Sequence, residues 1–330
     1  MVTGGASFIG SHLVVALAAI AAEVVAVDDL STGRLEHLEV ALRGPRVRFE
    51  RLDLLEPGAA RTALAGASLV FHLAARHGGR GYIDTHPADC ATNLALDALV
   101  FRAALEERIE KVVYASSGCV YPVGLQADVD AEVLLAEDQV GPPFDPDGLY
   151  GWAKLSGELS LAAYRRQYGL ASVSLRYFTV YGERGDPSHA VLAMIARAFL
   201  RQDPFEIWGD GRQVRNWTYV GDVVRGTILA AERLGEAEGV NLGAREPVRV
   251  LDAAKLATCL AGYAPAFRFR PEMPTGPVIR VCDDGLARRL LGWQAETGFA
   301  DGMRRTWEWY VRTHRRENVA RSFEASLLER

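Results

Sequence analysis

Cysteine is scarce in this sequence of 330 residues: four are present, at Cys90, Cys119, Cys259 and Cys282. They form no CxxC pair, and so few cysteines in a chain of this length are typical of reduced thiols rather than of a disulfide framework. We therefore expect neither disulfide bonds nor a metal site.

Long apolar runs and an excess of basic residues are also missing. The longest apolar stretch, 13–22, is too short to span a bilayer and is followed by Glu23. A glycine-rich loop stands where a signal peptide would have its basic region. The formal net charge is −5, whereas nucleic-acid-binding proteins usually carry a basic face. These absences predict a cytoplasmic enzyme with no nucleic-acid or membrane partner.

The first half of the chain alternates strand-like and helix-like segments. Short β-rich runs occur at 24–27, 47–50, 69–72, 112–115 and 171–176, and Ala-, Leu- and Glu-rich stretches occur at 8–22, 88–107 and 150–168. This alternation predicts an α/β fold, a doubly wound parallel sheet of about six or more strands.

After about residue 180 the pattern becomes irregular. Helical runs at 190–202, 221–234, 251–262 and 299–312 are separated by Gly- and Pro-rich pieces. This indicates a smaller, discontinuous second domain over the C-terminal edge of the sheet. The last fifteen residues are charged, and we expect them to be frayed.

A glycine loop, TGGASFIG at 3–10, opens the chain directly before the first helical stretch. Such a turn brings backbone N–H groups to a pyrophosphate at a helix N-terminus. The strand after the helix ends in Asp28-Asp29, and a carboxylate there accepts hydrogen bonds from ribose hydroxyls and repels a 2′-phosphate. The loop therefore predicts a dinucleotide site that prefers NAD. Ser7 stands where glycine is usual, and the first strand is very short.

A second pattern places Tyr150 and Lys154 four residues apart, on one face of a helix. An ammonium close to a phenol lowers the pKa of the phenol, so that it can take a proton from a sugar hydroxyl. Ser117 follows a predicted strand and supplies a hydroxyl that orients the same substrate oxygen. These residues predict hydride-transfer chemistry.

Six motifs in order, TGGASFIGSH, FHLAA, YASSGCVYP, YGWAK, LRYFTVYG and NWTYVGDVVRG, span nearly the whole chain. Together they resemble the extended short-chain dehydrogenases/reductases that modify nucleotide sugars. The resemblance implies a Rossmann-type NAD domain (1–180 and about 216–245) and a nucleotide-sugar domain (about 181–215 and 246–330). It also implies that Ser117, Tyr150 and Lys154 are the catalytic triad.

The resemblance further implies the residues around each ligand. Those expected at the cofactor, besides Tyr150 and Lys154, are Gly4, Ser7, Phe8, Ile9, Gly10, Asp28, Asp29, Ser31, Thr32, Asp53, Leu54, Leu73, Ala74, Ala75, Asn93 and Tyr177. Those expected at the nucleotide-sugar substrate are Gly78, Gly79, Thr179, Arg197, Arg212, Arg215 and Arg280. Guanidinium forks suit a diphosphate because they bind phosphate oxygens bidentately.

Assembly is a further implication. The runs 88–107 and 150–168 carry apolar residues beyond what one sheet face needs: Leu94, Leu99, Phe101, Leu159, Leu161 and Tyr164. In the family these helices pair with their copies, which implies a homodimer.

The segment SGCVYP around Cys119 is similar to GDP-fucose synthase and GDP-mannose 3,5-epimerase, where a cysteine here acts as an acid/base. The pair Ser188-His189 is similar to the GDP-fucose synthase segment that carries a second acid/base histidine. Oxidising C4 to a ketone acidifies the hydrogens on C3 and C5, and a thiolate and an imidazole on opposite ring faces can invert such a centre. We expect an epimerase acting at C3 and/or C5.

Other reactions stay open at this point. A 4-epimerase, with a passive Cys119, and a decarboxylase of a nucleotide hexuronate need no second acid/base, and a GDP-fucose-synthase-like enzyme would add a net reduction. Asp28, by favouring NAD, argues against the last of these. Thr179 and Glu183 depart from the family's usual Asn and Pro. A non-catalytic NAD-binding protein is disfavoured by the intact triad.

Overall fold

A computed structural model describes residues 1–128, 130–131 and 133–326. Its strands are β1 (Val2–Thr3), β2 (Val24–Asp28), β3 (Val47–Arg51), β4 (Leu69–His72), β5 (Lys111–Ser117), β6 (Ala171–Tyr177), β7 (Val180–Tyr181), β8 (Phe205–Trp208), β9 (Val214–Arg215), β10 (Thr218–Tyr219), β11 (Glu236–Leu242), β12 (Val248–Arg249), β13 (Phe267–Arg270) and β14 (Ile279–Arg280). Seven of these form a parallel sheet in the order β11-β6-β5-β4-β1-β2-β3. The predicted doubly wound α/β fold is confirmed.

Helices flank this sheet and form much of the second half. They are α1 (Phe8–Ile20), α2 (Glu39–Leu42), α3 (Ala59–Leu64), α4 (Arg80–Thr85), α5 (Pro87–Ala91), α6 (Asn93–Glu106), α7 (Gly148–Tyr168), α8 (Ala190–Leu200), α9 (Val220–Arg233), α10 (Val250–Leu260), α11 (Gly285–Leu291), α12 (Phe299–Thr313) and α13 (Arg316–Ser326). The expected run 88–107 is two helices, α5 and α6. Within the described residues, none of the helices has the length and apolarity needed to cross a membrane.

The sheet is buried on both faces because its central strands are apolar at successive positions. In β2, Val24 and Ala26 pack into the apolar cluster beneath α1 and α9. Val25 and Val27 point to the opposite cluster, beneath α3 and α6. Alternate side chains of a strand face opposite sides, so a continuous apolar run predicts a strand covered by helices on both sides.

The second half has its own apolar cluster, formed by α8, α10, α12 and α13 around Trp217. The expectation of a frayed C-terminus was wrong for 316–326, which form α13. The reason is Val319 and Phe323, four residues apart and both buried against this cluster. Residues 327–330 lie outside the described part.

Two residues expected on the free face of α6 and α7 are core residues instead. Phe101 and Leu161 are completely buried beneath the sheet, whereas Leu94, Leu99 and Leu159 are exposed. A cleft of about 1180 Å³ opens where the carboxyl ends of β4, β5 and β6 meet the second half of the chain. This is the position at which open parallel sheets bind their ligands.

Candidate active site

A tight glycine turn joins β1 to α1 at one end of the cleft. Gly4 has a φ of +65°, and a Cβ there would lie 2.9 Å from the backbone nitrogen of Ala74. A Cβ at Gly10 would lie 2.0 Å from Gly4 O, so only glycine lets α1 approach the turn this closely. Ser7 is the N-cap of α1 and, with Phe8 and Ile9, lines the cleft. The positive end of α1 therefore faces the cleft, as a bound pyrophosphate requires.

The carboxylate of Asp28, at the end of β2, ties this turn to the next loop. It accepts hydrogen bonds from the backbone N–H of Ala6 (3.0 Å) and of Leu30 (2.9 Å). Burial raises the pKa of Asp28, and these bonds act in the opposite direction. Of the other residues predicted in this loop, Thr32 lies at the cleft and Ser31 is exposed.

Arg76, which the sequence reasoning missed, bridges two carboxylates expected at the adenosine. Its Nη2 lies 3.1 Å from Asp29 Oδ2 and 3.6 Å from Asp53 Oδ2. Asn93 fixes the backbone of Arg76, accepting from its N–H (2.7 Å) and donating to its carbonyl (2.9 Å). Leu54 is packed in the core. The sequence feature that could have pointed to Arg76 is its position directly after the FHLAA motif.

The loop after β4 is anchored to β1 and borders the cleft. Leu73 and Ala74 donate their backbone N–H groups to Thr3 Oγ1, both at 3.2 Å. Leu73 and Ala75 line the cleft. The residues expected to border the cofactor are thus held by the same strand that leads into the glycine turn.

The predicted triad comes together at the end of β5. Tyr150 and Lys154 lie one turn apart on α7, and Lys154 Nζ is 5.9 Å from the centre of the Tyr150 ring. Burial raises the pKa of Tyr150, whereas a hydrogen bond with Ser117 lowers it. Burial also lowers the pKa of Lys154. Because burial opposes both charged forms, the chemistry of this pair depends on nearby charges.

Cys119 lies two residues after Ser117, in a short 3-10 helix at the end of β5. Its backbone N–H donates to Ser117 Oγ (3.1 Å), which orders the turn between the two side chains. Arg280, on β14, donates from Nη1 to Cys119 Sγ at 3.2 Å. The thiol is buried but lines the cleft. Cys119 therefore lies in a positively charged environment.

His189 caps α8 on another wall of the cleft, and His77 lies between it and the triad. The ring centres of His77 and His189 are 5.9 Å apart, and those of His77 and Tyr150 are 6.2 Å apart. Burial lowers the pKa of His189, and the charge of Asp186 acts in the opposite direction. A neutral imidazole can act as a proton acceptor.

Gly79 allows the loop 77–79 to lie directly against Ser188, the residue before His189. A Cβ at Gly79 would lie 1.7 Å from Ser188 O, and its N–H donates to Ser188 Oγ (3.2 Å). A Cβ at Gly78 would lie 2.7 Å from the Cβ of Tyr82. Both predicted loop glycines are therefore needed for the loop to lie against the start of α8.

Three arginines converge beside Cys119 around one carboxylate, Asp147. Asp147 accepts from Arg80 (2.9 Å) and from Arg280 (2.8 Å). Burial alone would raise the pKa of Asp147, but Arg280 and Arg80 lower it. Sequence reasoning missed Asp147 and Arg80, although Asp147 directly precedes α7 and Arg80 follows Gly78-Gly79.

Arg215, the third of these arginines, donates to backbone carbonyls, including those of Thr275 (2.9 Å) and Pro277 (2.6 Å). Burial, followed by the charges of Arg280 and Arg80, lowers the pKa of Arg215 to about 9. An anion beside Arg215 would relieve this cost.

The remaining predicted substrate residues lie in different places. Arg197 is buried on α8, lines the cleft and lies 5.2 Å from the centre of the Phe323 ring. Arg212 is exposed and pairs with Asp130 at 3.3 Å, outside the cleft. Thr179 and Tyr177 both line the cleft at the end of β6.

Comparison with known proteins agrees with this arrangement. Residues 1–243 match the model of the NAD dependent epimerase/dehydratase family. A UDP-glucose 4-epimerase of Mycolicibacterium smegmatis is 31% identical over 94% of this chain and 97% of its own length. A GDP-mannose 3,5-epimerase of Oryza sativa subsp. japonica is 29% identical over 93% of this chain and 80% of its own length.

Among solved structures, the UDP-glucuronic acid 4-epimerase of Bacillus cereus, in complex with UDP-glucuronic acid and NAD, superimposes with a TM-score of 0.84. It is 28% identical, and the match covers 95% of this chain and 99% of that one. The glycine turn and the close approach of α1 fit a dinucleotide, and the cofactor is NAD. Together with the triad at the end of β5, these matches show that the chain belongs to the NAD dependent epimerase/dehydratase family of extended short-chain dehydrogenases/reductases.

Proposed function

We propose that this protein is a nucleotide-sugar epimerase that acts at C3 and/or C5 of the sugar. Residues 1–180 and about 216–245 hold NAD, and about 181–215 and 246–330 hold the nucleotide sugar. The observation that carries the proposal is Cys119, whose backbone N–H donates to Ser117 Oγ and whose thiol accepts a hydrogen bond from Arg280. A cysteine that only filled space would need no guanidinium.

The reaction begins with oxidation at C4. Tyr150 takes the proton of the C4 hydroxyl, Ser117 orients that oxygen, and Lys154 stabilises the phenolate. NAD, when bound at the glycine turn, would supply the hydride acceptor for this oxidation and the hydride donor for the later reduction. The resulting ketone makes the hydrogens on C3 and C5 acidic, because the carbanion left behind is delocalised as an enolate.

Cys119 and His189 then exchange a proton with the ring carbon. A charge-assisted hydrogen bond from Arg280 stabilises a sulfur that has lost its proton. His189, neutral because burial lowers its pKa, is ready to accept a proton from substrate. The two groups enter the cleft from separate elements, the end of β5 and the start of α8. That separation supports removal of a proton by one group and its return by the other.

Arg215 and Arg197 bind the diphosphate, with Arg280 at its sugar end. Arg215 carries a buried charge that is offset only in part by Asp147. A diphosphate next to it restores the charge balance and fixes the sugar relative to Cys119 and Tyr150.

The protein works as a homodimer through α6 and α7. Besides the three exposed leucines already named, Leu149, Trp152 and Tyr168 are 43–50% exposed on α7. Such a concentration of exposed apolar side chains on paired helices is typical of an interaction surface, and a second copy offers a matching apolar face.

A second candidate function is 4-epimerisation, which the names of two of the relatives favour. In that reaction the keto sugar turns over and receives the hydride on its other face. Cys119 and His189 would then take no part in proton exchange with carbon.

Incubation with a panel of GDP- and UDP-sugars in D₂O distinguishes the two reactions. Our proposal predicts deuterium at C3 or C5 of the recovered sugar, whereas 4-epimerisation gives inversion at C4 with no solvent deuterium on carbon. Tyr150→Phe is the control, since without C4 oxidation it should incorporate none. Inversion at C4 alone would assign the second function.

A further inference from the structure

A buried polar cluster lies beneath the catalytic lysine. His72 ends β4, Asp97 lies on α6 and Tyr114 lies on β5, and each is at most 3% exposed. His72 Nε2 lies 3.1 Å from Asp97 Oδ1, and the Tyr114 hydroxyl donates to Asp97 Oδ2 at 2.5 Å. A carboxylate this deeply buried is costly unless its charge is compensated.

The hydrogen bonds of Thr3 determine the charge of His72. Thr3 Oγ1 already accepts from the N–H groups of Leu73 and Ala74, so its own proton is the one shared with His72 Nδ1 (2.8 Å). His72 Nδ1 is then an acceptor, and Nε2 carries the proton that it donates to Asp97. The imidazole is therefore neutral and leaves the charge of Asp97 uncompensated.

Lys154 lies across Tyr114 from this carboxylate. Its Nζ is 4.7 Å from the centre of the Tyr114 ring, and the side chain is 1% exposed. Burial lowers the pKa of Lys154, and the charge of Asp97 raises it.

Other groups surround this pair. Tyr150 on α7 faces the same space, as do Cys90 on α5 and Cys119 after β5. The charge of Asp97 itself raises the pKa of Tyr150, so Asp97 acts in favour of the phenolate only through Lys154. Glu158, another carboxylate near Tyr114, is paired with Arg176 at 2.8 Å. Asp97 and Lys154 are thus the buried anion and cation that balance each other.

We propose that Asp97 is a positioning residue whose buried negative charge keeps Lys154 protonated, the form in which Lys154 stabilises the Tyr150 phenolate. The inference rests on the part of the proposed function that 3-, 5- and 4-epimerisation share, the oxidation at C4. It adds a residue that touches neither substrate nor cofactor to the hydride-transfer machinery.

The chain contains three lysines, Lys111, Lys154 and Lys255, which permits a direct test. Full-length protein with bound NAD, labelled with ¹³C at lysine Cε, gives three signals that Lys111→Arg and Lys255→Arg assign. In Asp97→Asn, the Lys154 signal should titrate at a pH lower by about one unit or more, because a nearby opposite charge acts on that scale. An unchanged midpoint in folded, NAD-bound Asp97→Asn would overturn the proposal.

His72→Gln is the matched control, because an amide nitrogen can replace the donor to Asp97 without changing any charge. It should leave the Lys154 midpoint where wild type has it; a downward shift like that of Asp97→Asn would refute the argument that His72 is neutral. Asp97→Thr serves as a second neutral variant. If neither Asp97 variant folds, the carboxylate is a folding requirement and the proposal is wrong.

The pH profile for C4 oxidation is measured from the absorbance of reduced cofactor. Its alkaline limb should shift together with the titration midpoint of Lys154. The titration itself needs no substrate. If the wild-type protein oxidises none of the sugars, the proposed function is contradicted. The role of Asp97 is still decided by the titration alone.

Discussion

At the scale of single residues, charge in the cleft is unevenly distributed. Arg80, Arg215 and Arg280 lie around Asp147, and Arg80 also pairs with Asp84, so three positive charges meet two negative charges where the substrate is expected. An enzyme for a neutral, uncharged sugar would have no reason to bury this excess. The arrangement therefore favours an anionic group beside Arg215.

Arg215→Ala should raise KM by about tenfold or more, because a charge-assisted hydrogen bond to phosphate contributes about 1.5–3 kcal/mol. Steady-state kinetics with the preferred nucleotide sugar measures this. Arg304→Ala, which removes an exposed arginine from α12, is the control and should leave KM unchanged. Equal KM values for wild type and Arg215→Ala would place the diphosphate elsewhere.

Asp28 leads to a prediction about cofactor selectivity. A carboxylate at the end of β2 repels a 2′-phosphate, so NAD should bind more tightly than NADP by several kcal/mol, roughly a hundredfold or more. Calorimetric titration of cofactor-free protein with each dinucleotide provides the comparison. Similar dissociation constants would remove Asp28 from the adenosine site.

At the scale of elements, the sequence predicted the sheet and the glycine turn well, and it predicted that Ser117, Tyr150 and Lys154 lie close together. Strand and helix periodicity, the Tyr150–Lys154 spacing and the Ser117–Cys119 turn all involve residues that are close together in the sequence, so the sequence alone predicts them. Strand β11 and the contact between Asp147 and Arg280 escaped prediction. Asp147 and Arg280 are more than a hundred residues apart in the sequence. Strand β11 has a Glu- and Gly-containing sequence without strand character. Only the three-dimensional arrangement reveals them.

The loop 77–79 yields a prediction at this scale. Gly79→Ala must push the loop away from Ser188 and so displace His189 and His77 relative to Tyr150. A displacement of about 1 Å can cost about 10²-fold in rate, so kcat should fall strongly while bound NAD is retained. Gly124→Ala, at a site with open space and no positive φ, should behave as wild type. Full activity of Gly79→Ala would show that the loop tolerates separation from α8.

At the scale of the whole molecule, the proposed dimer places α6 and α7 of two copies together. Leu159→Glu puts a charge on this face, and burying it without a partner is costly. We expect a monomer by light scattering at micromolar concentration. Val40→Glu, on the exposed helix α2, should stay dimeric. A monomeric wild-type protein would refute the assembly itself.

Epimerisation at C3 or C5 depends on proton exchange by Cys119 and His189, which is measured most directly as deuterium uptake at these carbons. Cys119→Ser and His189→Asn should each lower this uptake by about 10²–10⁴-fold, the usual contribution of a positioned acid or base. Oxidation at C4 should persist in both variants, so reduced cofactor accumulates. Uptake at the wild-type rate in both variants would contradict the account and leave Cys119 and His189 as structural residues.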